Sequence, residues 1–178
     1  MERTSHLPPA DDHAQRLAFG PWLDGPAEAP QAPGDNADEP VPVGYERLPN
    51  FGPFHEALGP MYVKFEDGCY TVGLWVKERH RNRGPMMHGG MVCTLADTAS
   101  HWAAKQTRQA TGMILTTGLN VSLMGNAAPG EWVAARAQVL RAGRSIVFTD
   151  CHISSGGRAI AQASAQFQVV HDTAATRK

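Results

Sequence analysis

Two adjacent glycines, Gly89-Gly90, precede a lone aspartate, Asp97, in a stretch without proline. Glycines at a helix start leave backbone N–H groups uncovered. Those donors lack partners inside the helix, and the macrodipole adds positive potential there. They can hold a developing oxyanion, although the same residues also make a plain tight turn. On a helical wheel Asp97 falls within about 20° of Gly90, beside Thr94 and His101. The apolar centre of the helix lies nearly opposite, so the carboxylate is expected to face away from the sheet. Its neighbours Ala96, Thr98 and Ala99 are small or apolar, and no basic residue stands one turn away to pair with it. Such an acid could act as nucleophile or general base, or be merely a solvated surface group. Gly89 and Asp97 are separated by roughly 12 Å along one helix. A reacting carbonyl must lie within about 3 Å of both its oxyanion donor and its attacker, which one straight helix cannot arrange. Two helices antiparallel across a dyad can, so a catalytic Asp97 implies a dimer.

The elements that must position these groups are legible as patterns. A helix is expected from Gly89 to about Gln109, with Met91, Val92, Leu95, Ala99, Trp102 and Ala103 on its apolar stripe and Gly112 closing it. Strands are expected over Met61–Phe65, Tyr70–Val76, Leu115–Met124, Glu131–Leu140, Ser145–Ile153 and Arg158–Val169. Glu66-Asp67-Gly68 reads as a hairpin turn. In the last strand Ala159, Ala161, Ala163, Ala165, Phe167 and Val169 should share one face, with Ile160, Gln162, Ser164, Gln166 and Gln168 on the other. A hairpin, one long helix and a run of antiparallel strands is an α+β layout: the hotdog fold, a central helix wrapped by a curled antiparallel sheet.

The segment Asn82, Gly84, then His88-Gly89-Gly90-Met91-Val92-Cys93-Thr94-Leu95-Ala96-Asp97-Thr98-Ala99 resembles the signature of hotdog acyl-CoA thioesterases of the PaaI type. The likeness extends over about residues 44–170, including Leu58-Gly59-Pro60 and the strand Thr116–Met124. It implies that Asp97 is base or nucleophile on the thioester carbonyl, Gly89 supplies the oxyanion N–H, and Asn82 helps position the reacting groups. Thr116 matches the hydroxyl residue that orients water, with Thr117 as its neighbour. His88, Gly90 and Thr117 are expected to border the substrate, although the place of His88 just before the helix better suits a structural role, bonding backbone at the tight entry. The resemblance implies an acyl-CoA substrate, and a pocket lined by residues such as Met86, Met87, Trp102 and Leu123 suggests a medium-chain or aryl acyl group.

Composition sets the limits. The chain has 178 residues and a formal net charge of −1, with no overall basic footprint for nucleic acid. Residues 1–42 hold eight acids against two bases, a net of −6 that leaves +5 for the rest, and eight of the 13 prolines. They read as a flexible acidic arm, with a short helix around Asp12–Phe19 as one option, preceding a domain over 43–170 and a tail over 171–178. No apolar run is long enough to span a bilayer, and the N-terminus is unlike a secretory signal, so no membrane partner is expected. Cys69, Cys93 and Cys151 read as reduced thiols, which points to a cytoplasmic protein. Cys93 as a nucleophile is disfavoured by its mid-helix place. No cofactor motif or metal-ligand spacing is present. Coenzyme A phosphates could meet the basic run Lys77–Arg83, or Arg141, Arg144 or Arg158. The expected assembly is a homodimer or a dimer of dimers (a homotetramer). Two other classes stay open: a hotdog enoyl-CoA hydratase or dehydratase, and a non-enzymatic acyl-CoA-binding protein.

Overall fold

Seven antiparallel strands form one sheet that carries a single long helix, in a computed structural model that describes residues 40–49, 52–108 and 113–170. The acidic arm up to residue 39, the Asp12–Phe19 option, Gly112 and the tail 171–178 lie outside the described residues. In chain order the elements are β1 (Glu46–Arg47), α1 (Pro53–Leu58), β2 (Tyr62–Glu66), β3 (Cys69–Trp75), α2 (Gly89–Arg108), β4 (Met113–Leu123), β5 (Trp132–Ala142), β6 (Ile146–Ser155) and β7 (Arg158–Val170). The spatial order β1-β2-β3-β5-β6-β7-β4 leaves β1 and β4 as the two edges, so the sheet curls round the helix without closing. This is the hotdog architecture expected from the sequence.

Local chemistry explains the elements. Asp67 and Gly68 both adopt positive φ (52° and 75°), the requirement of a tight two-residue hairpin, and Glu66 faces Cys69 across it. The buried stripe of α2 runs through Met91, Val92, Leu95, Ala96, Ala99, Ala103 and Ala104. It packs on Ala135, Ala137, Ala161 and Ala163, and small side chains on both surfaces allow a close approach. Trp102 is only half-buried, its ring 6.5 Å from Tyr70 at the rim of the core. On the outside, Trp132 sits edge-on to Trp75 (5.4 Å) and Tyr45 (5.2 Å).

Two expectations are corrected. Alternation puts Ile160 on the outward face of β7, but it is fully buried. The register shifts between Ile153 and Ser154, which leaves Ile160 as the extra residue of a β-bulge and turns both Ile160 and Ala161 inward. Asp97 does not face wholly away from the sheet: it is half-buried against Thr116 of the edge strand β4, with α1 on the same flank of α2.

Candidate functional site

The entry to α2 is built by two histidines. His80, buried in a 3₁₀ turn, accepts a hydrogen bond at Nδ1 from the Lys77 N–H (3.0 Å). Its Nε2 is therefore the protonated nitrogen and donates to the Leu58 carbonyl at 2.6 Å, fastening the end of α1. The His80 carbonyl accepts the His88 N–H at 2.7 Å. His88 then caps α2: its Nδ1 accepts the Gly90 N–H at 2.9 Å.

That cap separates the two glycines. The Gly90 N–H is taken by His88, whereas the Gly89 N–H has no partner among the described residues. One donor at the positive end of a 20-residue helix is left open. A Cβ on Gly89 would lie 2.9 Å from the Leu123 Cδ1, so the end of β4 flanks that donor.

Asp97 lies two turns further along α2. Thr116 of β4 donates from Oγ1 to the Asp97 Oδ1 at 3.0 Å. The register of β4 against β7 shifts between Thr116 and Gly118, so Thr117 bulges out and its hydroxyl bonds the Gln166 carbonyl at 3.2 Å instead. Thr116, not Thr117, is the hydroxyl brought to the carboxylate.

Around Asp97 an open cleft of about 370 Å³ is lined by Phe54 and His55 of α1, Cys93, Thr94 and Thr98 of α2, and Leu119 of β4. Thr98 Oγ1 donates to the Thr94 carbonyl (2.7 Å), so the 3.1 Å contact with His55 Nε2 has the imidazole as donor. The pKa of His55 is held below the usual imidazole value, chiefly by burial and against the pull of Asp97. The same holds for His101, one turn below Asp97 and edge-on to Phe167. Two neutral imidazoles therefore flank the carboxylate at neutral pH.

The remaining expected residues are placed elsewhere. Asn82 is exposed in the loop before α2, its Oδ1 accepting the Gly84 N–H at 2.7 Å, and it does not line the Asp97 cleft. Of the expected pocket residues, Met87 belongs to the core and Leu123 lies against Gly89; the Asp97 cleft has Phe54, Cys93 and Leu119 instead. Among the basic candidates Arg81 pairs with Glu78 and Arg158 with Glu131. Phe54 and His55 are not among the residues the sequence singles out, and His80 stands there only within the run Lys77–Arg83. A histidine pair bracketing a short segment gives no periodic signal. Among the described residues no cluster of His, Cys, Asp or Glu could hold a metal ion, and no helix is long and apolar enough to cross a membrane.

One long helix wrapped by a curled antiparallel sheet is the hotdog fold, and its relatives give the class as a thioester hydrolase. Residues 84–161 match the Thioesterase superfamily. The chain is 31% identical to an inferred esterase of Pseudomonas aeruginosa, over 72% of this chain and 97% of that protein. It is 34% identical to acyl-coenzyme A thioesterase 13 of Homo sapiens, over 61% of this chain and 79% of that one. A structure of mutant phenylacetic acid degradation protein PaaI from Thermus thermophilus is similar with a TM-score of 0.60, covering 67% of this chain and 100% of that one. At 24% identity this last likeness carries the fold alone. The chain belongs to the thioesterase superfamily.

Proposed function

We propose that the protein hydrolyses an acyl-CoA thioester to the free acid and coenzyme A, at sites shared between two copies of the chain. The observation that carries this reading is the pairing of an open Gly89 N–H with a Thr116-oriented Asp97 on one helix, too far apart to serve one carbonyl. In an antiparallel dimer the Gly89 N–H of one protomer faces Asp97 of its partner. The edge strand β4 suits such an assembly. Among the described residues its outer edge is unpaired, and it leaves Leu115, Leu119 and Leu123 at 46%, 37% and 53% exposure.

In the proposed reaction Asp97 takes a proton from water as its oxygen attacks the thioester carbonyl. The electron pair moves onto the carbonyl oxygen, held by the Gly89 N–H. Collapse of the tetrahedral intermediate breaks the C–S bond, and the proton returns from Asp97 to the thiolate. Thr116 holds the carboxylate in orientation, and the Asn82 amide, whose N–H groups remain able to donate, positions the thioester. Arg83, exposed beside Asn82, is suited to the coenzyme A phosphates. The human relative named acyl-coenzyme A thioesterase 13 supports the substrate class. The apolar part of the cleft, Phe54, Cys93 and Leu119, suits a medium-chain or aryl acyl group.

The test is thiol release from short, medium, long and aryl acyl-CoAs by wild type and Asp97→Asn in parallel. Wild-type turnover that falls by about 10²–10⁴-fold in the variant is expected for loss of a general base. Near-native turnover by Asp97→Asn would remove Asp97 from the chemistry.

A further inference from the structure

His55 belongs to two cavities at once. On one side it lines the cleft of about 370 Å³ that holds Asp97. On the other it borders a larger recess of about 610 Å³ under β1 and α1, floored by buried Leu48 and Met61 with Arg47 and Glu56 at the rim. Among the described residues no other lining residue is shared between these two cavities.

The imidazole is held firmly enough to act as a wall. Its Nε2–H is spent on Thr98 Oγ1 (3.1 Å), and the Phe54 ring stands edge-on to it at 5.6 Å. The far end of α1 is tied to the helix entry through the His80–Leu58 bond. Burial keeps the ring uncharged at neutral pH, so an acyl chain can end against it without stranding a charge.

We propose that His55 is a specificity-determining residue, the partition that sets acyl-chain length. With the thioester carbonyl at Asp97, as proposed above, the acyl group lies in the cleft and its end meets the imidazole. Behind the ring, Leu48 and Met61 offer apolar surface that a longer chain reaches only when the ring is removed.

The experiment measures kcat/KM of the full chain on a saturated straight-chain series from butanoyl- to palmitoyl-CoA, for wild type, His55→Ala and His55→Trp. In His55→Ala the preference should move toward longer chains. The long-to-short ratio should rise about tenfold, the contribution of roughly two more buried methylenes. In His55→Trp the preference should move toward shorter chains, and this arm decides the matter if the alanine variant does not fold. Profiles that superimpose on wild type after scaling, in either folded variant, would overturn the partition. Wild-type silence on this series and on the aryl acyl-CoAs of the panel above would instead refute the thioesterase reading. Calorimetric affinities of the same CoA esters for the three proteins would then decide the partition without turnover.

Discussion

Thr116→Val removes the one hydroxyl that orients Asp97 and keeps the side chain's shape. The donor–acceptor distance is 3.0 Å to a carboxylate oxygen. Hydrogen bonds to charged groups are worth about 1.5–3 kcal/mol when water is excluded. In the isolated protomer Thr116 is exposed and Asp97 half-buried, so water replaces the lost donor and the folding cost should stay below about 1 kcal/mol. That corresponds to a fall in Tm of no more than roughly 4 °C for a domain of this size. In the occupied cleft water is displaced, and the full interaction bears on the oriented base. The expected loss in kcat is then about 10–100-fold, since each 1.36 kcal/mol is a factor of ten. Thiol release on the best acyl-CoA measures it, with Thr116→Ser as the control that restores the hydroxyl and most of the rate. In an Asp97→Asn background the same Thr116→Val change should cost little more, because the two residues act as one unit. Turnover within twofold of wild type in Thr116→Val, or equal losses in both backgrounds, would refute the idea that Thr116 works through Asp97.

Gly73→Ala should be strongly destabilising, because a Cβ there would land inside the Trp132 indole. Gly118→Ala, whose nearest neighbour would be 3.8 Å away, should be close to neutral. Overpacking of this kind costs about 1–3 kcal/mol, readable as a lowered Tm for the first variant only. Acid should destabilise the protein in a defined window. His55 and His101 have folded pKa values below their unfolded 6.5, so the unfolded chain binds more protons as pH drops through that value. Tm should therefore fall between pH 7 and 5.5, with a shallower slope in His101→Gln; a slope unchanged in that variant would show that His101 is not a contributor. Shared sites predict complementation. Asp97→Asn and Asn82→Ala proteins, each weakly active alone, should recover up to about a quarter of wild-type activity when mixed and allowed to exchange subunits. Half the dimers are then mixed, and each mixed dimer holds one intact site of two. No recovery despite verified exchange would place Asn82 and Asp97 in the same protomer's site.

Alternation and spacing carried most of the fold. The alanine face of β7 was legible because period two survives over many residues, and the Asp67-Gly68 turn because two adjacent positive φ values are rarely met by other pairs. Ile160 was not legible, since a bulge adds one residue without marking itself in the pattern. Nor was α1: six residues are too few to show a helical period, and Pro53 at its start reads equally as a loop.

The candidate site divides along the same physical line. Gly89 and Asp97 share one helix, so their geometry followed from rise and turn per residue alone. The choice between Gly89 and Gly90 as donor could not, because it depends on where the His88 ring folds back, and only the Gly90 N–H is capped. The choice between Thr116 and Thr117 rested on a bulge that rotates one hydroxyl toward Asp97 and the other toward Gln166. His55 is 43 residues from Thr98, and no local pattern links such a pair; it is the sheet's curl and the His80 anchor that bring α1 to the flank of α2. If the proposed chemistry and partition hold, the reactive groups lie within one contiguous motif, and the selective wall is brought to them by the fold. Chain-length preference could then change by substitutions in α1 while Gly89, Asp97 and Thr116 stay fixed.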